Sequence, residues 1–257
     1  MIDPTTPTQL LVFFSVATAA GFIDAIAGGG GLITLPALLL GGLPPISALA
    51  TNKLQAIFGT MTAMLVFLRR GMLSWTRQWP LAVYAFLGAC LGTLVIQFLD
   101  KRTLDIVIPL ILLLIGGYTA FTPPVSALRH APRVSAWLYQ RLVIPIIGCY
   151  DGMFGPGTGS FFTIAGVALR GEAILQAAAN AKFLNFATNA GSVALFMFSG
   201  HVIWPIALSM MLGQSIGAYL ATRVMLRHGS TLIRPIIVLV CFGMLVQYGV
   251  HKGILHL

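Results

Sequence analysis

The sequence predicts an all-α polytopic membrane protein made of two inverted repeats. Each repeat has a glycine-broken re-entrant or hairpin segment followed by three long transmembrane helices. Three observations predict it: the composition, the order of the apolar runs and the distribution of loop charges. Of 257 residues, 58% are hydrophobic and 8% charged, whereas a water-soluble domain carries about a quarter charged residues. At roughly 20 apolar residues per crossing helix, membrane segments consume nearly the whole chain. A soluble fold is excluded.

The apolar stretches end at charge, proline or glycine, where a membrane helix stops or bends. The first set is 9–27, 32–41, 43–69, 79–99 and 104–122, and the second is 137–154, 160–169, 172–198, 202–222 and 232–250. The last three runs of each set match in length. Residues 1–122 therefore read as a first membrane repeat, 123–136 (PPVSALRHAPRVSA) as a polar linker, and 137–257 as a second repeat. Identities in order support the duplication. GFIDAIAG at 21–28 lies against GCYDGMFG at 148–155, and both are followed by a glycine-rich break. Ala50 and Lys53 lie against Ala179 and Lys182, Gly71 and Trp75 against Gly200 and Trp204, and Pro80, Gly88 and Gly92 against Pro205, Gly213 and Gly217. The recurring GxxxG is a close-packing motif.

The net charge is +9, but the basic residues form no patch, so a nucleic-acid partner is not expected. Arg69, Arg70, Arg77, Arg133, Arg141 and Arg223 sit in the breaks between apolar runs or near the ends of the runs, where topology-setting charges belong. If each glycine-broken segment counted as one crossing, the loop lysines and arginines would divide seven against six; if it returns to its own face, they divide ten against three. Only the second division obeys the positive-inside rule. It also makes the crossings per repeat odd, which inverts one repeat relative to the other and puts both termini on the non-cytoplasmic side. The opening MIDPTTPTQL has no basic residue, so the first run is expected to remain in the mature protein rather than act as a cleaved signal. Cys90, Cys149 and Cys241 have no CxxC spacing, and the histidines lie outside or at the edges of the runs. No metal, haem or other cofactor is expected.

Four of the charges inside the apolar runs stand out: Asp24, Lys53, Asp151 and Lys182. Each costs about 2.5 to 3.5 kcal/mol at the membrane centre, so each needs a partner or a function. Both lysines fall at the same point of their runs, which at a 1.5 Å rise puts the amines roughly 15 Å deep, near the middle of a ~30 Å core. The breaks, Gly28, Gly29, Gly30 and Gly31 in one repeat and Gly155, Gly157 and Gly159 in the other, precede short apolar segments that read as half-helices. Backbone leaves helical geometry in a membrane only where protein or water satisfies it, and the exposed N–H groups of a half-helix favour an anion. Thr158 and Ser160 add hydroxyl donors or cap the half-helix. Lys182, Asn185 and Asn189 fall on one helical face with Asn180 a turn away, and Asn52 stands beside Lys53. These residues form a candidate site for a small anionic substrate. Asp24 and Asp151 either hold the lysines when the site is empty or carry a coupled proton or other ion.

Blander readings of the same residues stay open. Asp24 with Lys53, and Asp151 with Lys182, are also readable as structural ion pairs. The amides are readable as interhelical glue and the glycines as close-packing residues. No catalytic residue is expected, because no Ser/His or Cys/His pair lies at membrane depth, as a membrane-embedded enzyme would need. A passive anion channel on the same scaffold is the nearer alternative. The lipid bilayer is the evident partner, and a homo-oligomer is compatible with the sequence.

GFIDAIAGGGGLITLP at 21–36, ATNKL at 50–54, the turn from Arg70 to Trp75, and DGMFGPGTGSFF with NAKFLNFATN in the second repeat resemble the TauE/SafE family, the sulfite exporter-like membrane permeases. The resemblance covers about residues 9 to 250. It implies a helical inner-membrane transporter moving sulfite or small organosulfonates such as sulfoacetate outward. Inverted repeats with a site between glycine-interrupted segments fit a secondary transporter working by alternating access.

Overall fold

A computed structural model describes residues 6–121 and 131–228, and the run expected at 232–250 lies outside them. Every element among these residues is helical: α1 (Pro7–Ala27), α2 (Gly31–Leu40), α3 (Pro45–Arg69), α4 (Trp75–Gln97), α5 (Lys101–Phe121), α6 (Ala136–Leu138), α7 (Ile144–Met153), α8 (Thr158–Arg170), α9 (Ile174–Ser199) and α10 (Trp204–His228). A π-helical turn, Tyr139–Val143, joins α6 to α7. At 1.5 Å per residue, α2 and α8 reach only about halfway through a ~30 Å core. They are the short segments expected after the glycine breaks.

Local chemistry sets the boundaries. Pro7 and Pro45 open α1 and α3, where a missing N–H costs nothing. Gly28 closes α1 in the left-handed conformation, φ +76°, and its N–H donates to the Asp24 carbonyl at 2.7 Å. Gly157, φ +80°, opens α8.

The packing reverses the soluble pattern. On α4 the large residues Val83, Leu87, Leu91 and Leu94 are exposed, while Ala85, Gly88, Ala89 and Gly92 are buried. Lipid covers the first face, and small residues let neighbouring helices approach on the second. α4 packs on α7 and α1 on α10, with α3 and α9 between them and in contact with each other. A Cβ on Gly92 would overlap the Cys149 carbonyl of α7, and one on Gly217 the Thr18 carbonyl of α1. The GxxxG residues are therefore at helix crossings. One apolar cluster gathers Phe13, Leu35, Leu49, Phe196 and Met210, and a second gathers Met64, Phe67, Phe162, Phe183 and Met225. α3 enters through the first cluster at Ala48–Ala50 and leaves through the second at Met64 and Phe67. Lys53 lies along the stretch between.

Candidate functional site

The four intramembrane charges are all buried, and they form two ion pairs. Lys53 Nζ of α3 lies 2.8 Å from Asp151 Oδ1 of α7. Lys182 Nζ of α9 lies 3.1 Å from Asp24 Oδ2 of α1 and also donates to the Asp24 backbone carbonyl. This corrects the pairing considered from sequence. Asp24 does not bond Lys53, nor Asp151 Lys182; each lysine takes the carboxylate of the other stretch of chain. Depth along a helix could equate the two carboxylates but could not say which helix each would face.

The glycine breaks hold these pairs. The Gly30 N–H donates to Asp24 Oδ1 at 3.1 Å, and Thr158 Oγ1 donates to Asp151 Oδ1 at 2.8 Å. The breaks also touch each other. A Cβ on Gly28 would overlap the backbone of Gly159 and Ser160, and one on Gly31 would sit 3.2 Å from Pro156 Cα. Ser160 Oγ donates to the Ala27 carbonyl, fastening the start of α8 to the end of α1. A Cβ on Gly155, φ +94°, would stand 2.9 Å from Lys53 Nζ, so bare backbone lies against that amine. Gly29 faces only Leu32.

The amides divide. Asn52 accepts from Thr34 Oγ1 of α2 and from Gln55 Nε2 at 3.0 Å. Asn189 Nδ2 donates to Asn185 Oδ1 at 3.3 Å, and the Thr188 hydroxyl donates to the Asn185 carbonyl at 3.0 Å. The expected stripe on α9 is thus buried and bonded along its own helix. Asn180 is not turned to the ion pairs. Its Oδ1 accepts from Gln78 Nε2 of α4 at 2.7 Å and from Gln176 Nε2 at 3.0 Å, and its Nδ2 donates to Glu172 Oε2 at 2.9 Å. Sequence reasoning singled out none of Thr34, Gln78, Gln176 or Glu172. Thr51, which aligns with Asn180, does similar work: its Oγ1 accepts from the Ile203 N–H at 3.1 Å just before α10.

Two lysines and two carboxylates cancel, so these four side chains carry no net charge. An anion entering it adds charge that only a lysine released from its carboxylate, or the peptide dipoles of the breaks, can balance.

The model of the sulfite exporter TauE/SafE family matches residues 13–248. A probable membrane transporter protein of Haemophilus influenzae is 44% identical over 247 residues, covering 96% of this chain and 97% of the relative. The probable membrane transporter protein ORF9 of a Sinorhizobium species is 41% identical over 240 residues, 93% of this chain and 92% of its own. The probable membrane transporter protein YfcA of Escherichia coli K12 is 40% identical over 235 residues, 91% and 87%. No solved structure matches the chain significantly. These relatives are named as transporters rather than enzymes. On matches that span nearly its whole length, this helical membrane protein belongs to the sulfite exporter TauE/SafE family.

Proposed function

We propose that the protein is a secondary transporter, an exporter, of a small sulfur oxyanion or organosulfonate such as sulfite or sulfoacetate, working by alternating access in the cell inner membrane. The observation that carries the reading is the pair of buried lysines beside two touching glycine breaks. Substrate sits between Gly28–Gly31 and Gly155–Gly159, with Lys53 and Lys182 supplying charge and Asn52, Asn185 and Asn189 lining the approach. Asn180 belongs instead to a contact that holds the start of α4. The inverted-repeat reading draws support from the reciprocal packing, α1 on α10 and α4 on α7, and from the exchanged ion pairs. Rocking of one repeat against the other then moves the site between the two faces.

The test is flux in proteoliposomes. Labelled sulfite and sulfoacetate are expected to move down a gradient and to show counterflow. Lys53→Met or Lys182→Met is expected to abolish both while the protein still purifies. Flux without counterflow stimulation favours a passive anion channel. Unchanged flux in both variants rejects the site.

A further inference from the structure

We infer that the two lysines have different jobs: Lys53 is the amine that takes the substrate anion, which replaces the Asp151 carboxylate against it, while Lys182 and Asp24 remain a fixed clamp. This rests on the anion-transport reading above and divides the labour inside that site.

The two pairs are held differently. Both oxygens of Asp24 are used, Oδ1 by the Gly30 N–H at 3.1 Å and Oδ2 by Lys182 at 3.1 Å. Lys182 and the Gly28 N–H also both reach the Asp24 backbone carbonyl. Separating this pair would undo the end of α1. At Asp151, by contrast, Lys53 and Thr158 converge on Oδ1, each at 2.8 Å. Oδ2 is buried with no hydrogen-bond partner among the described residues. That carboxylate is held by one oxygen.

The backbone beside the pairs also differs, although both are buried and side-chain exposure is lower for Lys53 and Asp151, 1% and 2%, than for Lys182 and Asp24, 3% and 11%. Against Lys53 Nζ stands the backbone of Gly155, where a Cβ would come within 2.9 Å of the amine. At the first break the crowded atoms are those of Asp24 itself: a Cβ on Gly30 would lie 2.6 Å from Asp24 Cβ. Bare peptide therefore borders both the amine and the carboxylate of the Lys53–Asp151 pair, with Asp151 Oδ1 3.2 Å from the same added carbon, but only the carboxylate of the other. An incoming anion must free one lysine, and the pair held by fewer bonds yields at lower cost. Because Lys53 is on α3 and Asp151 on α7, that exchange also removes a bond between the two stretches of chain. Binding and loosening become one event.

The probes are sulfite and, separately, sulfate, titrated into the full-length purified protein and read by calorimetry and thermal unfolding. Asp151→Asn removes the competing charge and should tighten anion binding by about tenfold or more, because the anion no longer has to displace a carboxylate from Lys53 or sit about 4 Å from one, where like charges repel strongly even at an effective dielectric of about 20. If the variant folds only when one of these anions is present, the anion has taken the carboxylate's place, which is the same result. Asp24→Asn should bring no gain in affinity, since Lys182 stays on the Asp24 carbonyl. Lys53→Met/Asp151→Asn leaves no unpaired buried charge and should lose its anion response. The proposal is overturned if Asp151→Asn binds no more tightly than wild type, if neither anion rescues it when unfolded, or if the double variant binds as wild type does. Tight binding with no flux into proteoliposomes would fell the transport reading alone. Flux surviving Lys53→Met but not Lys182→Met would fell the division of labour alone.

Discussion

Lys53 bonds Asp151 at 2.8 Å and not Asp24, the carboxylate nearest to it along the chain. The exchange predicts which double substitutions rescue. Removing one member of a buried pair leaves an uncompensated charge and costs about 3–5 kcal/mol, whereas removing both is often close to neutral. Lys53→Met/Asp151→Leu should therefore regain most of the stability lost by either single change. Lys53→Met/Asp24→Leu should be at least as unstable as the sum of its parts. Double-mutant cycles by thermal unfolding in detergent measure this, and equal coupling of Lys53 to both aspartates would contradict the pairing.

Gly92 and Gly217 lie where helices cross, and a methyl group on either would overlap a carbonyl of the facing helix. Gly92→Ala and Gly217→Ala should each cost about 1–3 kcal/mol, the usual range for overpacking. Gly117→Ala is the control, because nothing described lies within 4 Å of the added carbon. It should be neutral or gain up to about 1 kcal/mol from better helix propensity. Melting temperatures of the three variants, compared in one detergent, decide the point.

Gly28 takes φ +76° against the backbone of Gly159 and Ser160. In Gly28→Ala the left-handed conformation alone costs roughly 1–2 kcal/mol, and the methyl group must also push the two breaks apart. Transport should be lost even where protein can be recovered. Ser160→Ala removes only the hydroxyl bond to Ala27 and should cost about 1 kcal/mol. Anion flux that survives in Gly28→Ala would show that contact between the breaks is dispensable.

Asn180 joins Gln78 of α4, Gln176 of its own helix and Glu172 in the turn before α9 through three side-chain bonds, whereas its sequence counterpart Thr51 accepts one backbone N–H. Asn180→Ala leaves polar partners stranded and should cost about 1–3 kcal/mol, while Thr51→Ala loses one bond worth about 1 kcal/mol. Proteolysis of the loop around Met72, whose carbonyl accepts from Gln176 at 2.9 Å, should quicken in the Asn180 variant only.

The all-helical class and the helix order among the described residues were legible because burial in lipid needs long apolar runs, and these map closely onto the helices. The start of α4 was less legible. The apolar run begins at 79, yet the helix starts at Trp75, and the polar Gln78 in its first turn is buried on Asn180, 102 positions away. Trp75 stacks on Trp79 with ring centroids 5.8 Å apart. The charged layer was legible too, since four ions in apolar runs stand out. Their pairing was not, because helical position fixes depth but leaves open which neighbour a side chain meets. Asn180 shows the same limit: its polarity was visible, and its partners were not.

The side to which the ends of the chain are exposed rests on loop charge. A reporter fused after Leu257 should be active only outside the cytoplasm, and one inserted near Gly71 only inside it. Cytoplasmic activity at Leu257 would reverse the orientation.

The exchanged pairing also bears on biogenesis. Asp24 enters the bilayer with α1, but its amine arrives only when residues 174–199 have been made. Through most of synthesis that carboxylate has no counter-ion, so the early helices must be sheltered by the insertion machinery or by water. A chain cut short before α9 would offer a bare acid to lipid and present itself to quality-control proteases.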